Sequence, residues 1–393
     1  MPTWPENILT GIAANLLSNG LILAVIPAWL HRRQTARHMS NLLRPPNPQS
    51  GIIRHPDLAQ HLQKPTSFRL LPTTGFRHPL PPEEAKTLRL FMDTAAGKPS
   101  WNGTLVRLDS IQIGTNGVEL LLSRVGFHDL LTTNIAFAAG PQNTPLHLLA
   151  RPALRPLVSQ ASALIAAYRT QVLTGIEPEE PTFDQVLRCP HLANAIAVAL
   201  CLIDPNGHVL ITERQRGLAV GSGTYTVAVT GSVSEADLTA ENPITAACAR
   251  EARQELDINI PPQHVRILDI VIAAEKLQPV ALCVYPAQTP APELASRAYF
   301  SQEAQLETKK LLTLDLNDPQ TATAAILRAN FSPTSRYLLW RLLTERHGKA
   351  IHKHYQTATK LWIAGWGVIK ARHWLNNSTV WPRRHEEEAG ARP

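Results

Sequence analysis

The nonapeptide Arg250-Glu251-Ala252-Arg253-Gln254-Glu255-Leu256-Asp257-Ile258 carries two carboxylates four residues apart. On a helix that spacing sets Glu251 and Glu255 on one face, with Gln254 beside them. Ile244, Cys248, Ala252 and Leu256 fall on a more apolar side, so the segment has one stripe to bury and one acidic stripe to present. Paired carboxylates suit a hard divalent cation, Mg²⁺ or Mn²⁺, which keeps several waters and completes its shell with substrate phosphates. Such a cation offsets the charge of a diphosphate and readies a water for attack at phosphorus. Gln254 weakens the set, because an amide oxygen coordinates without the full charge of a carboxylate. The same residues on a merely solvated helix would do none of this, so the elements around them decide.

Those elements are well marked. Asn242 can cap the free amides of a helix that begins at Pro243, a residue preorganised for the first helical position. Asp257 stands just past its end, where a left-handed residue is needed and Asp is among the few besides Gly that comply. Upstream, Ala195 to Ile203 is a continuous apolar run suited to a buried strand. Asp204-Pro205-Asn206-Gly207 is a turn, and Val209 to Thr212 returns. Tyr225 to Val229 alternates and leads into Thr230-Gly231. Val265 to Ile272, Val280 to Tyr285 and Leu311 to Leu316 supply more strands, and Pro333 to Arg346 a closing helix. Mixed strands around helices predict an α+β sandwich.

Over residues 190–345 the chain resembles the Nudix hydrolase superfamily. The family box runs G-x5-E-x7-R-E-U-x-E-E-x-G-U, with U a bulky aliphatic residue. Gly231 matches its glycine, Arg250-Glu251 its R-E pair, Glu255 the second of its paired glutamates and Ile258 its last aliphatic. The resemblance implies an α/β/α sandwich and Mg²⁺-dependent hydrolysis of a nucleoside diphosphate linked to another moiety. It implies catalytic roles for Glu251, Glu255 and Arg250, the arginine orienting its acidic neighbours, with Gly231 and Gln254 on the substrate side. Glu251 and Glu255 would hold the metal, helped by Glu307 just before the Leu311 strand, Glu275 being a weaker candidate.

Four positions depart from the box. The loop after Gly231 is longer than the family spacing, so the box's first glutamate falls on neither Glu235 nor Glu241 in register. Ala252 stands at an aliphatic position, Asp257 replaces the glycine, and Gln254 replaces a glutamate. A competing reading therefore stands beside hydrolysis: a Nudix-like sensor or effector at the membrane that holds a nucleotide-derived ligand without turning it over.

The membrane enters through residues 8–30, an uncharged stretch that as a helix would reach roughly 34 Å, enough to cross a bilayer core. Arg32, Arg33 and Arg37 follow it and only Glu6 precedes it, so the positive-inside rule predicts a single span with the remainder of the chain cytoplasmic. Asn15 and Asn19 share a face of that helix, where hydrogen bonding to a second copy would favour a homo-oligomer. Residues 31–65 are basic and contain proline, and they read as a juxtamembrane linker drawn to anionic lipid. No aromatic platform is interleaved with these arginines, so no nucleic-acid partner is expected.

Residues 66–185 shift toward β structure. Leu105 to Ile113 and Val118 to Val125 form a hairpin about Gly114-Thr115-Asn116-Gly117, and residues 156–172 an amphipathic helix. The stretch Phe127 to Asn134 reads either as a ligand-meeting loop or as a helix start capped by Asp129. Residues 346–376, with Trp362, Trp366 and Ile369 at helical spacing among basic residues, read as an amphipathic helix that lies on the membrane or packs on the preceding domain. Residues 377–393 are expected to be a disordered tail. At 393 residues and 44% apolar content the chain has room for a sizeable core. Cys189, Cys201, Cys248 and Cys283 lack CxxC spacing, which points to free thiols in a reducing compartment.

Overall fold

The computed structural model describes residues 47–96, 102–138, 152–174, 176, 181–215, 223–298, 301, 306, 308–328 and 330–363, all of them in the unit Asn47–Pro393. Its strands are β1 (Ile52–Arg54), β2 (Thr66–Leu70), β3 (Thr104–Gly114), β4 (Gly117–Gly126), β5 (Ala197–Ile203), β6 (His208–Arg214), β7 (Tyr225–Val227), β8 (Val229–Ser232), β9 (Arg266–Ala273), β10 (Gln278–Pro286) and β11 (Thr308–Asp315). The helices are α1 (Leu58–His61), α2 (Pro82–Ala96), α3 (Phe127–Leu130), α4 (Ala136–Ala138), α5 (Arg155–Thr174), α6 (Phe183–Arg188), α7 (Pro243–Leu256), α8 (Ala291–Ala298), α9 (Pro319–Arg328), α10 (Pro333–His347) and α11 (Ala350–Ile363).

Alternation along β5 sets the layers. Val198, Leu200 and Leu202 face one core, which they share with Ile244, Cys248, Ala252 and Leu256 of α7. Ala199 and Cys201 face the other, with Ala322 and Ile326 of α9 and Tyr337, Leu339 and Leu343 of α10. A strand buried on both faces reads as an unbroken apolar run, and successive side chains supply both layers. The result is helix on sheet on helix, a mixed α+β sandwich. The large sheet runs β1-β9-β10-β5-β6-β11, parallel at β10–β5 and antiparallel at its other pairings.

One irregularity in that sheet positions the site. β5 and β6 meet only at Ile203 and Val209, then diverge. Into the gap goes the Tyr225–Ser232 segment, whose β7 pairs with β6 and whose β8 pairs with β5, Gly231 opposite Val198. The single alternating strand expected from Tyr225 to Val229 is thus two short strands that change partner at Ala228. β8 ends beneath α7.

The region from 66 onward forms a second sheet, β2-β4-β3, with the expected hairpin at Gly114 and Gly117. It is stitched to the large sheet. Val106 N–H donates to Val233 O at 2.9 Å and Ile196 N–H to Val106 O at 2.9 Å, while the buried Asn134 Nδ2 reaches Leu277 O at 2.8 Å. Leu105, Leu120, Ile196 and Ile270 belong to one apolar core, so the middle region extends the sandwich. The Phe127–Asn134 ambiguity resolves toward a helix: Asp129 Oδ2 accepts the Gly126 N–H at 2.9 Å, and α3 continues through a π turn, Leu131–Ile135.

Several elements lay hidden in the sequence. Ile52–Arg54, inside the stretch read as a linker, pairs antiparallel with β9. No reading of the sequence placed α2, α6, α8 or α9, although Thr182 and Gln185 form a capping box at α6, Ala291, Leu294, Ala295 and Ala298 make a buried stripe on α8, and Asp318 Oδ1 accepts the Gln320 and Thr321 N–H groups at the start of α9. The predicted membrane span at 8–30, with Asn15 and Asn19, lies outside the described residues, as do residues 364–393. Among the described residues no helix is long and apolar enough to cross a membrane. The described part of the C-terminal helix packs on its predecessor, Trp340 standing edge-on to Tyr355 at 5.4 Å and Ile351 being buried. All four cysteines are free and buried.

Candidate functional site

α7 starts and stops where its sequence dictates. Asn242 Oδ1 accepts from Ile244 N at 3.1 Å and Thr245 N at 3.2 Å, with Pro243 as first helical residue. Asp257 is left-handed, at φ 55 and ψ 39, and Ile258 N–H closes back onto Ala252 O at 3.2 Å. A substituent other than glycine is tolerated there because Asp reaches this backbone region more readily than other side-chain-bearing residues.

With both ends fixed, α7 meets β8 residue by residue. Thr230 N–H donates to Glu255 Oε2 at 3.2 Å. Gly231 lies directly under Glu251, whose carboxylate fills the space any side chain at 231 would take. Ser232 O accepts from Arg250 Nη2 at 2.8 Å. The helix thereby lays its two glutamates and its arginine along three consecutive residues of one strand.

Arg250 is the hub. Its Nε and Nη2 donate to the two oxygens of Asp237 at 3.1 and 2.9 Å. Nη1 donates to Glu251 Oε1 at 2.7 Å and to Gln254 Oε1 at 2.9 Å. With the bond to Ser232, all five guanidinium N–H groups have a protein acceptor. Burial works against the charge on Arg250, but the hydrogen bonds and charges of Asp237 and Glu251 outweigh it and hold its pKa above the ordinary value. Arg250 therefore orients the acidic groups and has no donor to spare for a phosphate.

Asp237 is the residue the sequence reading missed. It is buried, accepts from Ser234 N at 2.8 Å and Ser234 Oγ at 2.9 Å, and forms a bidentate pair with Arg250. It stands six residues after Gly231, the interval of G-x5-E. The signal was available: the spacing before the acid is kept, the acid is Asp, and the extra residues fall between it and the R-E pair.

Gln254 is exposed and turns its amide oxygen to Arg250, while its backbone carbonyl accepts from Ser301 Oγ at 2.6 Å. Arg214 Nη1 reaches Thr230 Oγ1 at 3.4 Å, which brings a cation to the Glu255 end of β8. The Lys276 ammonium is held below its ordinary pKa by burial, with the charge of Arg214 acting in the same direction and that of Glu275 against it. Glu307 lies outside the described residues.

As a metal platform the donor set is chemically apt and incomplete. Glu251 and Glu255 offer the oxygens a hard divalent cation prefers, yet among the described residues no group of three or more His, Cys, Asp or Glu is arranged to hold a metal ion. Water and substrate oxygens would have to supply most of the shell.

No protein-family model matches this sequence, and no curated protein does. Among the solved structures that overlap with part of it are two proteins of low identity. DR0079 from Deinococcus radiodurans is 20% identical, covering 37% of this chain and 82% of its own at a TM-score of 0.28. Tm1382, described as a candidate Nudix hydrolase, is 14% identical, covering 38% of this chain and 72% of its own at a TM-score of 0.26.

Proposed function

We propose that the α7–β8 site binds the diphosphate of a nucleoside diphosphate derivative through a divalent cation and hydrolyses it. The observation that carries this reading is the alignment of Glu255, Glu251 and Arg250 with Thr230, Gly231 and Ser232. Mere solvation of an acidic helix face does not require a strand glycine beneath one glutamate or an arginine with every donor engaged. When bound, the cation would offset phosphate charge and lower the pKa of a coordinated water. Glu251 and Glu255 would hold it, Arg250 and Asp237 would keep Glu251 in place, and Arg214 would supply positive charge near the Glu255 end.

A second reading, binding without turnover, is favoured by Gln254, whose oxygen serves Arg250 rather than facing outward as a ligand. One experiment separates the two: incubate the full chain with Mg²⁺ or Mn²⁺ and a panel of nucleoside diphosphate derivatives, beside Glu255→Gln. Turnover that falls at least tenfold in the variant supports hydrolysis. Saturable, metal-dependent binding with no turnover establishes the sensor instead. We also propose that residues 8–30 anchor the protein in a membrane, with the Asn15/Asn19 face as a self-association surface. Recovery of the full chain in the soluble fraction would refute that anchor.

A further inference from the structure

A cleft lies in the middle region, and no residue of the α7–β8 site lines it. It has a volume of about 300 Å³ between the start of α2 and the π turn after α3, and His78, Lys86, Arg89, His128 and Thr132 line it. This is a size at which small-ligand pockets begin, and π turns recur at functional sites.

The polar groups there are held in place by the fold. His78 Nδ1 lies 3.1 Å from both the N–H and the carbonyl of Leu80, and its Nε2 lies 2.9 Å from Thr132 Oγ1. Thr132 in turn donates to His128 O at 2.7 Å. Arg89 Nη1 donates to His128 Nδ1 at 3.3 Å. The acids on the same wall are Asp129, which accepts from Gly126 N–H as a helix cap, and Glu83.

The cations are less committed. Arg89 spends one N–H on His128, and the Lys86 ammonium has no hydrogen bond or ion pair among the described residues. A half-buried guanidinium fork and a neighbouring exposed ammonium, with the opening turn of a 15-residue helix, are complementary to a tetrahedral oxyanion. Glu83 would accept from a hydroxyl or amino group next to that oxyanion.

We propose that this cleft binds the phosphate group of a small phosphorylated molecule, at a site separate from α7. The test uses the full chain in EDTA, which removes any cation-dependent phosphate binding at Glu251 and Glu255, and titrates inorganic phosphate by calorimetry and by phosphorus NMR line broadening. Saturable binding that weakens about tenfold in Arg89→Gln and in Lys86→Glu supports the site. Lys86 is exposed, so its variant keeps the test valid should Arg89→Gln fold poorly, which thermal unfolding without phosphate would reveal. Absence of saturable binding, or unchanged affinity in the folded variants, overturns the proposal.

Discussion

Gly231 and Glu251 occupy one space: the carboxylate of Glu251 stands where a side chain on residue 231 would begin, closer than any real Cβ approaches. The glycine is needed for access, since its backbone is an ordinary strand conformation. It fixes how deeply α7 sits over β8.

Gly231→Ala is therefore expected to displace Glu251, break its bond to Arg250 and destabilise the chain by about 1 to 3 kcal/mol through overpacking. Thermal unfolding reads the stability. Mg²⁺ titration reads the site and should show weaker affinity in the folded variant. A variant with unchanged midpoint and unchanged metal affinity would contradict the account of Gly231.

Arg250→Lys keeps the charge and loses the fork. A single ammonium cannot serve Asp237 at two oxygens and also Glu251, Gln254 and Ser232. Asp237 is left buried with a poorer partner, for an expected cost of about 2 to 4 kcal/mol by denaturant midpoint. A double-mutant cycle on Arg250→Ala and Asp237→Ala should return a coupling well above that of an exposed ion pair; additivity would dissolve the pair.

Gln254→Glu adds the missing carboxylate beside Glu251 and Glu255. Mg²⁺ affinity should rise several-fold if the two glutamates form the metal platform, because each added ligand charge deepens the site. Isothermal titration with Mg²⁺ checks this. No change would place the cation elsewhere.

Asp204 gives the molecule a pH-dependent turn. Its carboxylate accepts from Asn206 N at 2.9 Å, His208 N at 2.8 Å and Ala291 N at 3.0 Å. Burial raises its pKa, but the backbone hydrogen bonds to Ala291, His208 and Asn206, with the charge of His208, outweigh that and leave it below the ordinary 3.8. The folded state thus binds this proton more weakly than the unfolded one. The stabilisation is fully present above pH 3.8 and is lost as pH falls through the lower, folded value. Asp204→Asn should cost about 1 to 3 kcal/mol at neutral pH and flatten the acid limb of a stability profile measured by denaturant melts.

What was legible follows from how local each signal is. Asn242, Pro243 and Asp257 act within one turn of helix, so the limits of α7 could be read from neighbours in the chain. The apolar run of β5 likewise names its own burial. The change of partner at Ala228 could not be read, because it depends on β5 and β6 diverging, a relation between strands. Asp237 was passed over for a different reason: its bond to Arg250 spans 13 residues, and the insertion between them disguised a spacing that was kept. α2 was missed because its buried Leu88, Phe91 and Met92 are interleaved with charged residues and gain their burial from α5 and the π turn at Leu131–Ile135.

β1 has a bearing on how this protein can be handled. Ile52, Ile53 and Arg54 cover the outer edge of β9 along Val271, Ile272 and Ala273, and Arg54 adds an ion pair to the buried Asp269 at 3.7 Å. A fragment cut at residue 66, where the second sheet begins, would bare that apolar edge with its unpaired amides and carbonyls, a template for another chain to pair with. Fragments beginning at residue 47 keep the edge sealed and should stay monodisperse where the shorter ones aggregate.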